Sequence, residues 1–174
     1  MADTSKEHIE ILQNAIVMEV EGEKFFSNAA LRMKHPQAKD MFVSLATQEM
    51  RHVRVLEVEL QRLERGDGWV SPSSVKGSAA SDDSVFKEAE GAKGPLDPKA
   101  GELAVLKYGM EVERKSIEYY KRAGADIEDS RAREVFNWLV GEEAGHLTIL
   151  NAEYDLRSRS GFYFDVPEFS LEVM

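Results

Sequence analysis

Residues 48–60 read QEMRHVRVLEVEL, and residues 142–154 read EEAGHLTILNAEY. A shift of ninety-four positions lays one on the other, so that Glu49 falls on Glu143, His52 on His146, Leu56 on Leu150 and Glu59 on Glu153. The same shift carries Leu12 to Leu106, Glu19 to Glu113, Ala29 to Ala123, Phe42 to Phe136 and Leu45 to Leu139. Apolar matches alone are weak evidence, because any two amphipathic hairpins in register produce them. Charged residues set into an apolar stripe gain nothing from that period. Their recurrence makes the two halves of the chain one helical hairpin used twice.

Working outward, the apolar residues Ile9, Leu12, Ile16, Val20, Phe25 and Phe26 recur at helical spacing and predict a helix from Thr4 to about Lys34. Thr4 and Glu7 have the spacing of a capping box. Pro36 opens a second helix that runs through Met41, Phe42, Leu45, Val53, Leu56, Leu60 and Leu63 to Arg65, where Gly66 and Gly68 stop it. Residues 66–98 are rich in Gly, Ser, Pro and Asp, with one short helix-compatible piece, SVFKEAEG at 84–91, and read as a long crossover. Asp97-Pro98 predicts the start of a third helix reaching about Ala123; GADIED is the next turn, and a fourth helix spans Ser130 to Arg157. The expected fold is all-α: a four-helix bundle of two hairpins occupying residues 1–157. The aromatic tail 158–174 has no helical period and is expected to pack on the bundle or on a partner chain.

Composition narrows the function. The 22 Lys and Arg against 32 Asp and Glu leave a net charge of −10, which repels phosphate backbones and anionic membrane surfaces, so neither nucleic acid nor membrane is expected as a partner. With no Cys, thiolate zinc sites, iron–sulfur ligation and a cysteine nucleophile are excluded together. MADTSKEHIE has no apolar core of a signal peptide, and the cytoplasm is the expected location. Exposed apolar stripes and the aromatic tail lead us to expect a homodimer.

Glu49 and His52 lie three apart, as do Glu143 and His146, so each pair projects from one helix face beside the apolar stripe. Glu19 and Glu113 sit among Leu12, Ile16 and Phe26, and among Leu106, Met110, Ile117 and Tyr120. Counting from the turns near residues 35 and 128 at ~1.5 Å per residue, all six fall at one height in the bundle. Four buried carboxylates repel one another severely without cations. Two divalent ions would balance them, with both imidazoles as neutral ligands. Carboxylate and imidazole donors favour iron or manganese over magnesium, and zinc stays open.

One Glu from each of two helices plus Glu-x-x-His from each of the other two resembles the ferritin-like di-iron carboxylate proteins. MEVEGEKFF at 18–26, QEMRH at 48–52, MEVERKSIEYY at 110–120 and GEEAGH at 141–146 are most similar to a rubrerythrin domain, over about residues 6–157. The resemblance implies a ferritin-like bundle holding two iron ions, with Glu19 and Glu113 as terminal ligands, Glu49 and Glu143 as bridges, and His52 and His146 completing one ion each. It implies an oxidoreductase that reduces hydrogen peroxide or dioxygen. The cysteine-ligated rubredoxin domain common in the family has no counterpart in these residues, so an external, rubredoxin-like electron donor is expected. Phe26 stands where the family often carries Tyr, and its counterpart is Tyr120; Ser116 stands one turn after Glu113, where an additional carboxylate is sought. A ferroxidase and a non-catalytic, metal-stabilised interaction module are the alternatives.

Other residues invite bland readings. His8 and His35 read as surface histidines, and Met18, Met41 and Met110 as core filler. Gly22 and Ser116, equivalent places one turn after the terminal Glu residues, either admit an oxidant or allow close packing. Tyr119 and Tyr120 either hydrogen-bond the ligand carboxylates or fill core, and Tyr120 is the candidate for a catalytic contribution.

Overall fold

The computed structural model describes residues 2–75, 101–158, 162–163 and 166–167. Four long helices, α1 (Ala2–Arg32), α2 (Pro36–Arg65), α4 (Glu102–Asp126) and α5 (Ser130–Ser158), are joined by a one-turn helix α3 (Pro72–Val75) and its flanking chain. α1 pairs closely with α2 and α4 with α5; the hairpins meet through α1 against α4 and α2 against α5. Two short strands, β1 (Phe162–Tyr163) and β2 (Val166–Pro167), form an antiparallel pair after α5, so the non-helical tail carries local sheet structure. Among the described residues, no helix is long and apolar enough to cross a membrane.

The ends of α2 match their expected chemistry. Pro36 is the first helical residue, and Gly66 at φ 78° turns the chain so that its N–H reaches the Leu63 carbonyl at 3.0 Å while Asp67 N–H reaches Arg62 at 2.9 Å. Asp129 caps α5, its Oδ1 accepting from the N–H groups of Arg131 at 2.8 Å and Ala132 at 3.1 Å. Two expectations need correction. α1 begins at Ala2, so Thr4 lies inside the helix and cannot cap it. α4 begins at Glu102 behind Gly101 and runs on to Asp126; Asp97-Pro98 and residues 84–91 lie outside the described residues.

The core is two apolar clusters with a polar layer between them. At the end near the α1–α2 turn, Phe25, Phe26, Met33, Phe42, Leu106, Met110 and Leu150 pack together. At the other end Leu12, Leu56, Trp69, Tyr120, Ile127, Phe136 and Leu139 do so. The repeat is visible in the rings: Phe26 stacks on Phe42 at 6.0 Å and 29°, and their equivalents Tyr120 and Phe136 stack at 6.2 Å and 27°. The chain after α2 closes one end, with Trp69 buried edge-on against Phe136 and His8, and Ser71 Oγ donating to Glu134 at 2.6 Å. His8 is therefore half-buried rather than a free surface residue, whereas His35 is exposed.

Candidate metal centre

Glu19, Glu49, His52, Glu113, Glu143 and His146 all lie in the layer between the clusters, and none is more than 3% exposed. Glu19 comes from α1, Glu113 from α4, and the two Glu-x-x-His pairs from α2 and α5. The i, i+3 spacing puts each pair on one inward face, so four helices deliver six side chains to one place.

Their arrangement has an approximate two-fold symmetry. Around His52 Nδ1 stand Glu19 Oε2 at 3.2 Å, Glu49 Oε2 at 3.3 Å and Glu143 Oε1 at 3.1 Å. Around His146 Nδ1 stand Glu113 Oε1 at 3.4 Å, Glu49 Oε1 at 3.1 Å and Glu143 Oε2 at 3.1 Å. Glu49 and Glu143 thus each turn one oxygen toward each histidine, while Glu19 and Glu113 serve one side apiece. Two overlapping ligand groups follow, Glu19–Glu49–His52–Glu143 and Glu49–Glu113–Glu143–His146, each with donor atoms within 4.8 Å of one another.

The electrostatics show what such a layer costs. Burial raises the Glu19 and Glu113 carboxyls well above the usual range. Burial acts the same way on Glu49 and Glu143, but contact with Glu19 and both histidines at Glu49, and with both histidines and Glu113 at Glu143, more than reverses it and holds both low. Burial would lower the imidazoles; the surrounding carboxylates override it, lifting His52 well above its ordinary value and His146 to about 12. Without cations the layer thus favours the neutral form at Glu19 and Glu113, the ionised form at Glu49 and Glu143, and the charged form at both imidazoles. Even so, both oxygens of Glu143, Glu113 Oε1, His52 Nε2 and both ring nitrogens of His146 have no hydrogen-bond partner. Buried donor atoms left this way fit a pair of divalent cations, which neutralise four carboxylates and free both imidazoles to ligate.

The surroundings hold residues with roles of their own. The Tyr120 hydroxyl donates a short hydrogen bond to Glu19 Oε1, so this ring positions a candidate ligand. Burial and the neighbouring Glu19 carboxyl push its phenol well above the ordinary value, keeping it a donor. Tyr119 instead bonds the Ile11 carbonyl at 2.8 Å and takes no part. Gly22 lies over Glu49: a Cβ there would meet Glu49 Cδ at 3.6 Å, an ordinary contact, so the glycine leaves room above the Glu49 carboxylate. Glu142 was not singled out by the sequence. It stands 3.7 Å from His52 Nε2 and 3.8 Å from Arg51, whose guanidinium lies over Trp138. Its only sequence signal is that the repeat pairs it with a neutral Gln48.

The rubrerythrin family profile matches residues 10–154, a span holding all six residues. A comparison with curated proteins gives no match. Among solved structures, a two-domain protein from Anabaena variabilis containing DJ-1/ThiJ/PfpI-like and ferritin-like domains superposes with a TM-score of 0.67 at 18% identity. It covers 95% of this chain, which spans 43% of that protein, and the likeness shows a shared ferritin-like bundle. With the profile running from the first helix to the last and enclosing the whole buried layer, the chain belongs to the rubrerythrin family.

Proposed function

We propose that the chain is a di-iron oxidoreductase that reduces hydrogen peroxide or dioxygen and is re-reduced by an external electron carrier. The observation that carries this reading is the bridging disposition of Glu49 and Glu143, each with one oxygen facing each histidine. Glu19 with His52 and Glu113 with His146 would complete the two ions. Bound as ferrous ions, such a pair supplies two electrons at once, which with two protons reduce hydrogen peroxide to water.

The protein's own part is to hold and shield. Tyr120 Oη–H fixes Glu19 through Oε1 and leaves Oε2 facing the centre. The apolar clusters on either side of the layer keep water out along the bundle axis. The space over Glu49 beside Gly22 is where a small oxidant would approach.

The test is anaerobic. The metal-free chain is loaded with ferrous iron, and its oxidation by stoichiometric peroxide and by dioxygen is followed in stopped flow. Much faster oxidation by peroxide, abolished in Glu143→Ala, is the expected result. Faster oxidation by dioxygen with continuing turnover of added iron would move the assignment to a ferroxidase, and failure to bind iron would end it.

A further inference from the structure

The six inner residues obey the repeat, but the groups behind them do not. On the first side, Glu19 Oε1 accepts the Tyr120 hydroxyl, and His52 Nε2 has the Glu142 carboxylate at 3.7 Å. The equivalents on the second side are Phe26 and Gln48. Phe26 occupies the same stacked ring position as Tyr120, fully buried, without an oxygen to donate from. Gln48 turns its amide back onto Ser44, bonding the carbonyl and the hydroxyl at 3.3 Å each. Neither His52 Nε2 nor His146 Nε2 has a hydrogen-bond partner; the difference is the Glu142 carboxylate at ion-pair distance from His52 Nε2, and Glu113 Oε1 is buried without a partner. Both differences favour the same side, and they arise on different helices.

Partners behind metal ligands fix carboxylate and imidazole orientation before the ion arrives, and losing one typically weakens binding ~10–100-fold. Glu142 also adds a negative charge next to His52, shared in part with Arg51. We propose that the two metal positions are unequal, and that the one built by Glu19 and His52 fills first because Tyr120 fixes Glu19 and the Glu142 carboxylate places its charge beside His52. Tyr120 and Glu142 are then positioning residues, and Phe26 and Gln48 mark the position that fills second. This rests on the metal-centre reading above.

Manganese(II) titrated into the metal-free full-length chain tests it, with free ion followed by electron paramagnetic resonance and heat by calorimetry. Two steps are expected, the first ~10–100-fold tighter, with an uncoupled single-ion spectrum at one equivalent. Tyr120→Phe should weaken the first step ~10-fold or more and leave the second unchanged. Phe26→Tyr, which offers Glu113 the missing hydroxyl, should tighten the second. His146→Ala should retain the tight step and His52→Ala should lose it. Two equal steps, one concerted step, or a tight step that survives His52→Ala and vanishes in His146→Ala would overturn the order while leaving the metal centre standing. A chain that binds no manganese or iron would overturn the centre and the order with it.

Discussion

Glu49 and Glu59 lie on the same helix, both are buried, and both have a glutamate ninety-four residues on, yet they do different work. Glu49 stands among three other carboxylates and two imidazoles. Glu59 stands alone near the bundle end, its Oε2 accepting the Val70 N–H at 3.1 Å and its Oε1 buried without a partner. Its counterpart Glu153 does not repeat even that, since it pairs with Arg157 at the other end of the bundle. Burial and recurrence together are therefore not enough to mark a ligand. What separates the two is company: a carboxylate joins a candidate metal layer when other donors converge on it from other helices, and otherwise ties down backbone.

The sharpest way to break this distinction is substitution. Glu143→Ala should abolish binding of both ions, because its two oxygens face both positions, whereas Glu59→Ala should bind metal normally while losing stability through the orphaned Val70 N–H and the cavity. Metal content by mass spectrometry decides; loss of metal in Glu59→Ala would erase the contrast. A smaller effect is expected in melting. Ligand at a hundredfold its Kd adds about 2.7 kcal/mol, so manganese should raise Tm by roughly 5–10 °C in both wild type and Glu59→Gln, and chelator should reverse it. Equal melting with and without metal would show that the layer is indifferent to cations.

Protons sharpen the comparison further. In the metal-free layer Glu19, Glu113, His52 and His146 all have their hold on protons strengthened, so loading should expel protons, and affinity should fall as pH is lowered. A pH-indicator dye in weak buffer should register acidification on adding manganese at neutral pH; no release would refute this strengthened hold on protons. The smallest effect belongs to Glu59, whose carboxyl burial pushes from 4.5 to about 7 against the opposing pull of Val70 N–H and Arg62. Between those values the folded chain binds more protons than the unfolded one, so this group's contribution to stability falls as pH rises through that window. Denaturant titrations of metal-free protein at several pH values should show that fall weakened in Glu59→Gln. An unchanged slope would mean that Glu59 does not set it.

Much of this was legible in the sequence because two strong signals coincide. Helical periodicity places α2 and α5 almost to the residue, and repeated charges inside that period single out the six layer residues. Glu142 was missed because it neighbours a candidate ligand in the chain but occupies a partly exposed face, where a charge needs no explanation. The seal made by Trp69, Val70 and Ser71 was missed because Gly-, Ser- and Pro-rich chain has no period, and its docking depends on Glu59 and Glu134 from distant turns. The start of α1 was misjudged for a simpler reason. A Thr with Glu three residues on has capping spacing wherever it falls, and here the helix had already begun.

The closeness of helices within each hairpin, against the looser meeting of hairpin with hairpin, bears on kinetics. Each hairpin can assemble from neighbouring segments, while docking of the two must wait on closing the long crossover. Each ligand group draws from both hairpins, so neither ion can be fully held until docking is complete. Bound metal would then act as a rivet set after assembly, slowing the rate at which the halves come apart while leaving the rate at which they first meet almost untouched.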